Sequence, residues 1–396
     1  MDRKQCWGNC EMATNTDFLS SNCILNQLFK KCKCMHENNL KKVVFLGTGG
    51  TIAGVAAHSA DDLGYTAAQI KVEQLLSAVP GLHEALKGHA VHCEQVAQLD
   101  SKDMDFMTMT HLAARCMHWM AQPDVAGIVI THGTDTLEET AYFLHLLLPT
   151  DKSVVLTCAM RPATSRHADG PANLRDAVAV ALDPQACGVL CVCAGKVHLA
   201  SRVQKTHSHQ LDAFISTEAG PAARVEQVEQ GEQTQIRVLW NNKKLPFTPK
   251  ETPAGHIDNA QAAMKNIANL LSITRWPRVE IVVNHAGASG AVVRALLNGQ
   301  TADKLDGIVA AGTGNGTLQA DLEAALLHAQ DQGIAVVRSS RCVGGGVQAT
   351  GRDVLPHAGG LTYAQARIRL VLELAGAANV NSASGIKHRF ENKSAG

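Results

Sequence analysis

The chain has 396 residues, enough for two domains with sizeable hydrophobic cores. Its 36 basic and 36 acidic residues cancel, so no global field attracts nucleic acid or an anionic membrane surface. Aromatic residues make up only 4% of the chain, glycines number 33, and no apolar run approaches the roughly 20 residues that span a bilayer. This composition favours an α/β protein with tight strand-to-helix turns over a β-sandwich.

The first 40 residues mix Cys, Asn, Lys and Ser without a clear period, and we predict that residues 1–40 form a disordered extension. They lack an uninterrupted apolar region followed by a small-residue cleavage site, so we expect no secretory signal. Cys6 and Cys10 could ligate zinc together with Cys32 and Cys34. Their C-x3-C and C-x-C spacings match the usual C-x2-C knuckle poorly, so we predict no metal site.

The other cysteines are scattered, several of them inside apolar, strand-like segments such as VVLTCAM and GVLCVCAG. Free cysteine acts in such segments as a small buried hydrophobe. A chain of this size without a regular disulfide spacing favours a reducing compartment, and we predict a cytoplasmic protein.

Strands and helices alternate from Lys42 onwards. We predict strands over KVVFLG, GIVIT, SVVLTCAM and GVLCVCAG, and helices over YTAAQIKVEQLLSAVPGL, SKDMDFMTMTHLAARCMHWMA, DTLEETAYFLHLLL and GPANLRDAVAVAL. Ser101 is the predicted N-cap of the second helix, Thr136 with Glu139 fits a capping box in the third, and Pro171 lies near the start of the fourth. The alternation predicts a large N-terminal domain over residues 41–240, built on a doubly wound parallel sheet.

Residues 241–260 hold three of the twelve prolines and several charges, and we predict that they form an interdomain linker. The alternation then restarts, with predicted strands over VEIVVNHAG, GIVAAGTGNGT and IAVVRSS and predicted helices over AVVRALLNG, LQADLEAALLHAQDQG and YAQARIRLVLELAG. This pattern predicts a smaller, Rossmann-like α/β domain over residues 261–378 and a polar tail over residues 379–396.

Two buried strands end in glycine and threonine, in VVFLGTGGTIAG (residues 43–54) and GIVITHGTDTLEETAYF (residues 127–143). The first resembles a phosphate-binding loop, but Ile52 occupies the third glycine position of the dinucleotide fingerprint. A P-loop needs Lys after its last glycine, where this chain has Val55. Neither phosphate motif fits.

The chemistry of these turns suggests acyl transfer from a small polar substrate. Ligands of open α/β sheets bind beyond the carboxyl ends of the strands, where Thr51 and Thr134 would lie. A threonine hydroxyl needs a partner that takes its proton, such as Asp135 and a neutral lysine for Thr134, or a tyrosine for Thr51. Amides exposed in the turns could stabilise an oxyanion. Spacing alone equally allows both threonines to be turn or N-cap residues and Asp135 to be a helix cap.

TGGTIAG and THGTDTLEETAYF closely resemble the two signature segments of the bacterial-type L-asparaginase family. The resemblance continues through AMRPATSRHADGPANL, VQKTH, AAGTGNG and AVVRSSR, and it covers roughly residues 42–375. It implies hydrolysis of L-asparagine to L-aspartate and ammonia, with glutamine as a minor substrate and without cofactor or metal. It also implies a homotetramer, a dimer of dimers, whose sites lie between the large domain of one subunit and the small domain of its neighbour.

The same resemblance assigns roles to the reacting side chains. It matches Thr51 to the primary nucleophile and Tyr65 to the mobile-loop tyrosine that assists it. Thr134 matches the second threonine and Lys205 the lysine paired with it, while Asp135 matches the aspartate that binds the substrate α-amino group.

Two further matches concern substrate binding, and the segment around one of them departs from the family. Ser101 matches a residue that binds the substrate α-carboxylate, and Asn315 matches a side chain lent by the neighbouring subunit. Many members have Gly and Gln on either side of the matched serine, where this chain has Asp100 and Lys102. Lys102 either adds charge to the substrate clamp or points to water. The neighbour's glutamate that often follows the RSSR strand has no match in CVGGGVQATGRDVLP.

Two alternatives of other classes remain open at this point. The first is a subunit of a tRNA-dependent amidotransferase on the same fold, although such a subunit usually carries an added partner-binding domain. The second is a non-catalytic binding module, which loss of the threonines, the lysine or the aspartate would favour; all of them are present.

Overall fold

The computed structural model describes residues 41–62, 64–217, 220–230, 233–241, 260–299, 304–351 and 353–376. The predicted N-terminal extension with its four candidate zinc ligands, the predicted tail, and all but the two end residues of the predicted linker lie outside these ranges.

The first part of the described chain forms a mixed sheet of eight strands. In chain order the elements are β1 (Lys42–Gly49), β2 (Val55–Ala56), β3 (Tyr65–Thr66), α1 (Val72–Ser77), α2 (Leu82–Ala85), β4 (Ala90–Leu99), α3 (Phe106–Met120), β5 (Val125–Thr131), α4 (Leu137–Leu147), β6 (Ser153–Thr157), α5 (Gly170–Ala181), β7 (Gly188–Cys193), β8 (Lys196–Leu199), β9 (Val203–Lys205), β10 (Phe214–Ser216), β11 (Ala223–Gln230) and β12 (Gln233–Trp240). The sheet order is β12-β11-β8-β7-β6-β5-β1-β4, parallel from β7 to β4 and antiparallel from β7 to β12.

The four strands predicted in this part, β1, β5, β6 and β7, are confirmed and form the parallel centre of the sheet. Side chains of β1 alternate between two apolar layers, with Val44 and Leu46 on one face and Val43 and Phe45 on the other. Helices α3 and α4 cover the first face, and α5 covers the second. Helices on both faces are what keeps such parallel strands apolar throughout.

The helix predicted over YTAAQIKVEQLLSAVPGL is wrong in extent. Its first residues form the two-residue strand β3, which pairs with β2, and the helical part is divided between α1 and α2. Pro80 lies between these two short helices, where its ring disfavours a helical conformation for Val79 before it.

Two predicted helix starts are also corrected. Helix α3 begins after Asp105, whose carboxylate accepts the Thr108 amide at 2.7 Å, while Ser101 opens a separate 3-10 turn. The capping box at α4 is absent because the Thr136 hydroxyl donates to the Ser101 carbonyl oxygen at 2.7 Å. Ser101 and Thr136, which were predicted to cap helices, instead form hydrogen bonds between two segments that are distant in the sequence.

The second part of the chain forms a four-stranded parallel sheet, as predicted for the smaller α/β domain. Its elements are α6 (Ala260–Leu271), β13 (Arg278–Val283), α7 (Ala291–Asn298), β14 (Leu305–Gly312), α8 (Ala320–Asp331), β15 (Ala335–Ser340), β16 (His357–Thr362) and α9 (Tyr363–Gly376), with sheet order β13-β14-β15-β16. Helix α6 and strand β16 were not predicted. Within the described ranges, every helix is too short or too polar to span a bilayer.

Candidate active site

The two Gly-Thr turns lie against each other at one edge of the large sheet. Strands β1 and β5 are parallel neighbours, with Gly47 opposite Thr131, so their carboxyl ends coincide. A Cβ atom at Gly50 would lie 2.2 Å from Gly133 Cα, and Gly50 has a φ of +81°. Only glycines allow this approach, which brings the residues after both strands into one site.

Thr51 occupies a buried 3-10 turn directly after β1. Its hydroxyl oxygen lies 2.7 Å from the phenol oxygen of Tyr65, and either group can donate. Tyr65 is held there by β3, which pairs with β2 so that Tyr65 lies opposite Ala56. The phenol is therefore within reach of the proton that Thr51 must lose to become a nucleophile.

The loop that leads to Tyr65 is fastened by the segment after β6. The Asp62 carboxylate accepts the Ser165 hydroxyl at 2.6 Å and forms an ion pair with Arg161 at 3.1 Å. The Arg161 guanidinium also donates to the carbonyl oxygen of His209 at 2.9 Å. One arginine thus joins the Tyr65 loop to the segment that follows Lys205.

Lys205 connects Thr134 and Asp135. Its ammonium nitrogen lies 2.8 Å from the Thr134 hydroxyl and 2.7 Å from an Asp135 carboxylate oxygen. The Lys205 side chain is 17% exposed and that of Asp135 is 55% exposed, so the ion pair lies at the mouth of the site. An ammonium group only donates. Thr134 therefore accepts from Lys205, and its own hydroxyl proton is free for another acceptor.

Ser101 is brought to the same place by contacts with the turn after β5. Its buried hydroxyl oxygen accepts the Asp135 backbone amide at 3.2 Å, and a Cβ at Gly133 would lie 2.4 Å from it. Because that oxygen is used as an acceptor, its proton remains available for an anionic group. The side chain of Lys102 is 62% exposed and forms an ion pair with Asp100 at 2.5 Å.

Asn315 lies apart from these six residues, in the turn after β14 of the second sheet. Its side-chain amide donates to the carbonyl oxygen of Gln348 at 2.9 Å and accepts the Gln348 backbone amide at 2.7 Å. Within one chain, Asn315 therefore ties two loops of the second sheet together.

Sequence reasoning missed two buried ionisable groups beside the turns. The Glu138 carboxylate accepts the Lys205 backbone amide at 2.5 Å, and burial raises its pKa to about 7. Burial lowers the pKa of His132 to about 4, and its Nδ1 lies 2.7 Å from the carbonyl oxygen of Gly133. In the sequence Glu138 looks like an ordinary acidic residue in a first helical turn, so the only available signal was its adjacency to Thr134 and Asp135.

The seven cysteines of the described ranges are free thiols. Over the same ranges, no group of three or more His, Cys, Asp or Glu side chains is arranged to hold a metal ion.

Two family models together cover most of the chain. The model described as Asparaginase, N-terminal, matches residues 42–242, and the Glutaminase/Asparaginase C-terminal domain model matches residues 278–385. The chain belongs to the asparaginase family. The resemblance drawn from TGGTIAG and THGTDTLEETAYF is thereby confirmed.

Asparaginase relatives match over most of their own length. The chain is 38% identical over 305 residues to L-asparaginase 2 of Escherichia coli (strain K12), spanning 76% of this chain and 78% of that protein. It is 36% identical over 312 residues to the glutaminase-asparaginase of Pseudomonas fluorescens biotype A, spanning 78% of each. The crystal structure of a probable cytoplasmic L-asparaginase from Campylobacter jejuni superposes with a TM-score of 0.74 at 33% identity, covering 88% of this chain and 99% of that one.

Proposed function

We propose that the protein hydrolyses L-asparagine to L-aspartate and ammonia, with Thr51 as the nucleophile and glutamine as a minor substrate. The observation that carries the proposal is the contact of two Gly-Thr turns, each with a hydroxyl paired to a proton-transfer group. Relatives named L-asparaginase and glutaminase-asparaginase support the choice of substrate.

The charged end of asparagine is held by Ser101 and Asp135. The free proton of the Ser101 hydroxyl donates to the α-carboxylate, and the exposed Asp135 carboxylate accepts from the α-ammonium group. Binding both groups fixes the distance at which the side-chain amide meets the threonines. Such positioning lowers the activation free energy, because the loss of translational and rotational entropy has already occurred when the substrate binds.

In the acylation step, the Thr51 oxygen attacks the amide carbon, and Tyr65 relays the hydroxyl proton by taking it from Thr51 while passing its own phenol proton to solvent. The carbon–nitrogen bond then breaks, and the departing nitrogen receives a proton and leaves as ammonia. Thr134, whose oxygen accepts from Lys205, is placed to give that proton and to regain one from the ammonium. The product of this step is a β-aspartyl ester on Thr51.

In the deacylation step, a water molecule attacks the ester carbon. The ester bond to the Thr51 oxygen breaks, and the water oxygen becomes part of the new aspartate carboxylate. Of the two water protons, one reaches Thr51 through Tyr65 and the other restores the Lys205 ammonium through Thr134. This sequence of bond changes uses only side chains of the protein and water, and we propose that the reaction needs neither cofactor nor metal.

We further propose a cytoplasmic homotetramer, a dimer of dimers, in which Asn315 completes the site of the neighbouring subunit. The family resemblance supports this arrangement, and the Campylobacter jejuni relative is described as cytoplasmic. Asn315 lies in the turn Gly-Asn-Gly at the carboxyl end of β14, a turn partly open to solvent.

The test is steady-state ammonia release from asparagine, from glutamine and without substrate. Asparagine should be preferred by at least about tenfold in kcat/KM, because one methylene in a fixed pocket is typically worth ~1–3 kcal/mol. An amidotransferase subunit would release little ammonia alone, and a binding module would release none. Equal efficiencies on the two amides would refute the argument that the pocket fixes substrate length.

Thr51→Ala and Thr134→Ala should each lower kcat by at least about a thousandfold, and the double variant should lose little more, as in other catalytic units. Thr110→Ala is the matched control, since this buried hydroxyl bonds the Phe106 carbonyl oxygen within its own helix. If Thr51→Ala retained about a tenth of the wild-type kcat, Thr51 would be excluded as the nucleophile.

A further inference from the structure

The catalytic candidate Lys205 sits at the end of a very short strand. Strand β9 has three residues and pairs with β10 in a two-stranded sheet, separate from the eight-stranded one. Thr206 donates its amide to the Ala213 carbonyl oxygen at 2.8 Å. Antiparallel ladders alternate between hydrogen-bonded and non-hydrogen-bonded pairs. Lys205, opposite Phe214, therefore belongs to a non-hydrogen-bonded pair, and its amide points away from β10.

The acceptor for that amide is a carboxylate from another element. An oxygen of Glu138 lies 2.5 Å from the Lys205 backbone nitrogen. Glu138 is in the first turn of α4, the helix whose N-cap Thr136 follows Thr134 and Asp135. The two ends of the lysine are therefore bound by one continuous segment, because Glu138 in the first turn of α4 binds the main chain while Thr134 and Asp135, just before the helix, bind the ammonium.

We propose that Glu138 is a positioning residue for the reaction, which holds the Lys205 main chain so that its ammonium reaches Thr134 and Asp135 together. A lysine side chain is long and flexible, so two contacts at its tip do not fix its path. The carboxylate fixes the other end of that path. This inference rests on the proposed function, because it concerns the rate of that reaction.

Glu139 provides an internal comparison. It is the next residue of the same helix, it is also largely buried, and burial raises its pKa as well. Its carboxylate instead faces Arg367 of α9, at 3.9 Å. A change at Glu139 therefore disturbs the same helical turn without touching Lys205.

Three substitutions at Glu138 distinguish the effect of side-chain length from the effect of the negative charge. Glu138→Gln keeps an acceptor oxygen at the same distance from the backbone but removes the charge. Glu138→Asp keeps the charge and shortens the side chain by one carbon–carbon bond, about 1.5 Å. Glu138→Met keeps the length and removes the acceptor. Glu139→Met is the matched control.

The experiment measures kcat and KM for asparagine, together with Tm, for the full-length wild type and these four variants. Glu138→Met and Glu138→Asp should each lower kcat at least about tenfold, because a misplacement of 1 Å can cost on the order of 100-fold. Their KM should stay within about threefold of wild type, since Ser101 and Asp135 rather than Glu138 hold the substrate ends. Glu138→Gln should retain kcat within about threefold, and Glu139→Met should do the same at a comparable loss of Tm.

Two results would overturn the inference. One is a kcat for the Glu138→Met variant that equals the kcat of the Glu139→Met variant. The other is Glu138→Asp more active than Glu138→Gln, which would mean that charge and not reach is required. Should Glu138→Met not fold, the comparison of Asp with Gln still decides. A wild-type protein that releases no ammonia from asparagine would instead refute the proposed function and leave these comparisons without a rate to compare.

Discussion

Gly133→Ala tests whether close packing of the turn after β5 against Ser101 and the turn after β1 creates the site. The backbone of Gly133 is not in the left-handed region, so alanine can adopt its conformation and the effect is steric. The new Cβ would lie 2.4 Å from the Ser101 hydroxyl oxygen and 3.1 Å from Gly50 Cα. An ordinary carbon–oxygen contact is about 3.4 Å, so Ser101 and the turn after β5 must separate by roughly 1 Å, and core overpacking of this kind costs ~1–3 kcal/mol.

That displacement falls on the residues proposed to hold and attack the substrate. We therefore expect kcat to fall by on the order of 100-fold, the usual consequence of a 1 Å misplacement, with a higher KM because Ser101 moves. Ammonia release gives both constants, and Tm reports the packing cost. Gly299→Ala is the control, since Gly299 is exposed, has a φ of −79°, and would place its Cβ at an acceptable 3.4 Å from the Ala295 carbonyl oxygen.

A Gly133→Ala protein with the kcat of Gly299→Ala would refute this reasoning. It would mean that Ser101 and the turn after β5 can part without cost to the chemistry, and that the close packing at Gly133 is not needed for the reaction.

Two further predictions concern assembly and pH. The Thr51→Ala and Asn315→Ala proteins, unfolded together and refolded in equal amounts, should recover up to about a quarter of wild-type activity. The reason is that about half of randomly paired dimers are mixed, and each mixed dimer carries one intact site. If mass spectrometry shows subunit exchange but activity does not recover, each site lies within one chain. Burial lowers the pKa of His198 to about 4, below its unfolded value, so its contribution to stability is present above pH 6.5 and is lost as pH falls towards 4. His198→Gln should flatten that dependence by at most about 3 kcal/mol, measured by denaturant unfolding across this range, and identical profiles for the two proteins would show that His198 is not buried as a neutral group.

The strands and helices that could be predicted from the sequence are those in which apolar residues follow one clear pattern. β1, β5, β6 and β7 are buried on both faces, so their sequences are nearly continuous apolar runs. Strands β11 and β12, the last two at one end of the sheet, read ARVEQVEQ and QTQIRVLW, in which polar and charged residues interrupt the apolar ones, and they were missed. Strand β16 was missed for another reason, because HAGGLT contains two glycines.

Helix caps could not be decided locally. Ser101 and Asp105 are both good N-cap types four residues apart, and the choice depends on the turn after β5, which engages Ser101. The same limit applied to Glu138, whose partner Lys205 is 67 residues away. Of the seven residues assigned by resemblance, the structure groups six at one sheet edge, while Asn315 lies in a turn of the second sheet and its proposed role involves a neighbouring chain.

Arg161 sets a constraint on any redesign of this protein. Its guanidinium bonds Asp62 in the Tyr65 loop and the His209 carbonyl oxygen in the segment after Lys205. A variant that reshapes the loop to admit a bulkier amide must therefore supply new hydrogen-bond partners for Arg161 on both sides. Otherwise it loses the connection between the loop that holds Tyr65 and the segment that follows Lys205. A change made to widen the range of substrates would thus also change how firmly the Tyr65 loop and the Lys205 segment are held, because both depend on Arg161.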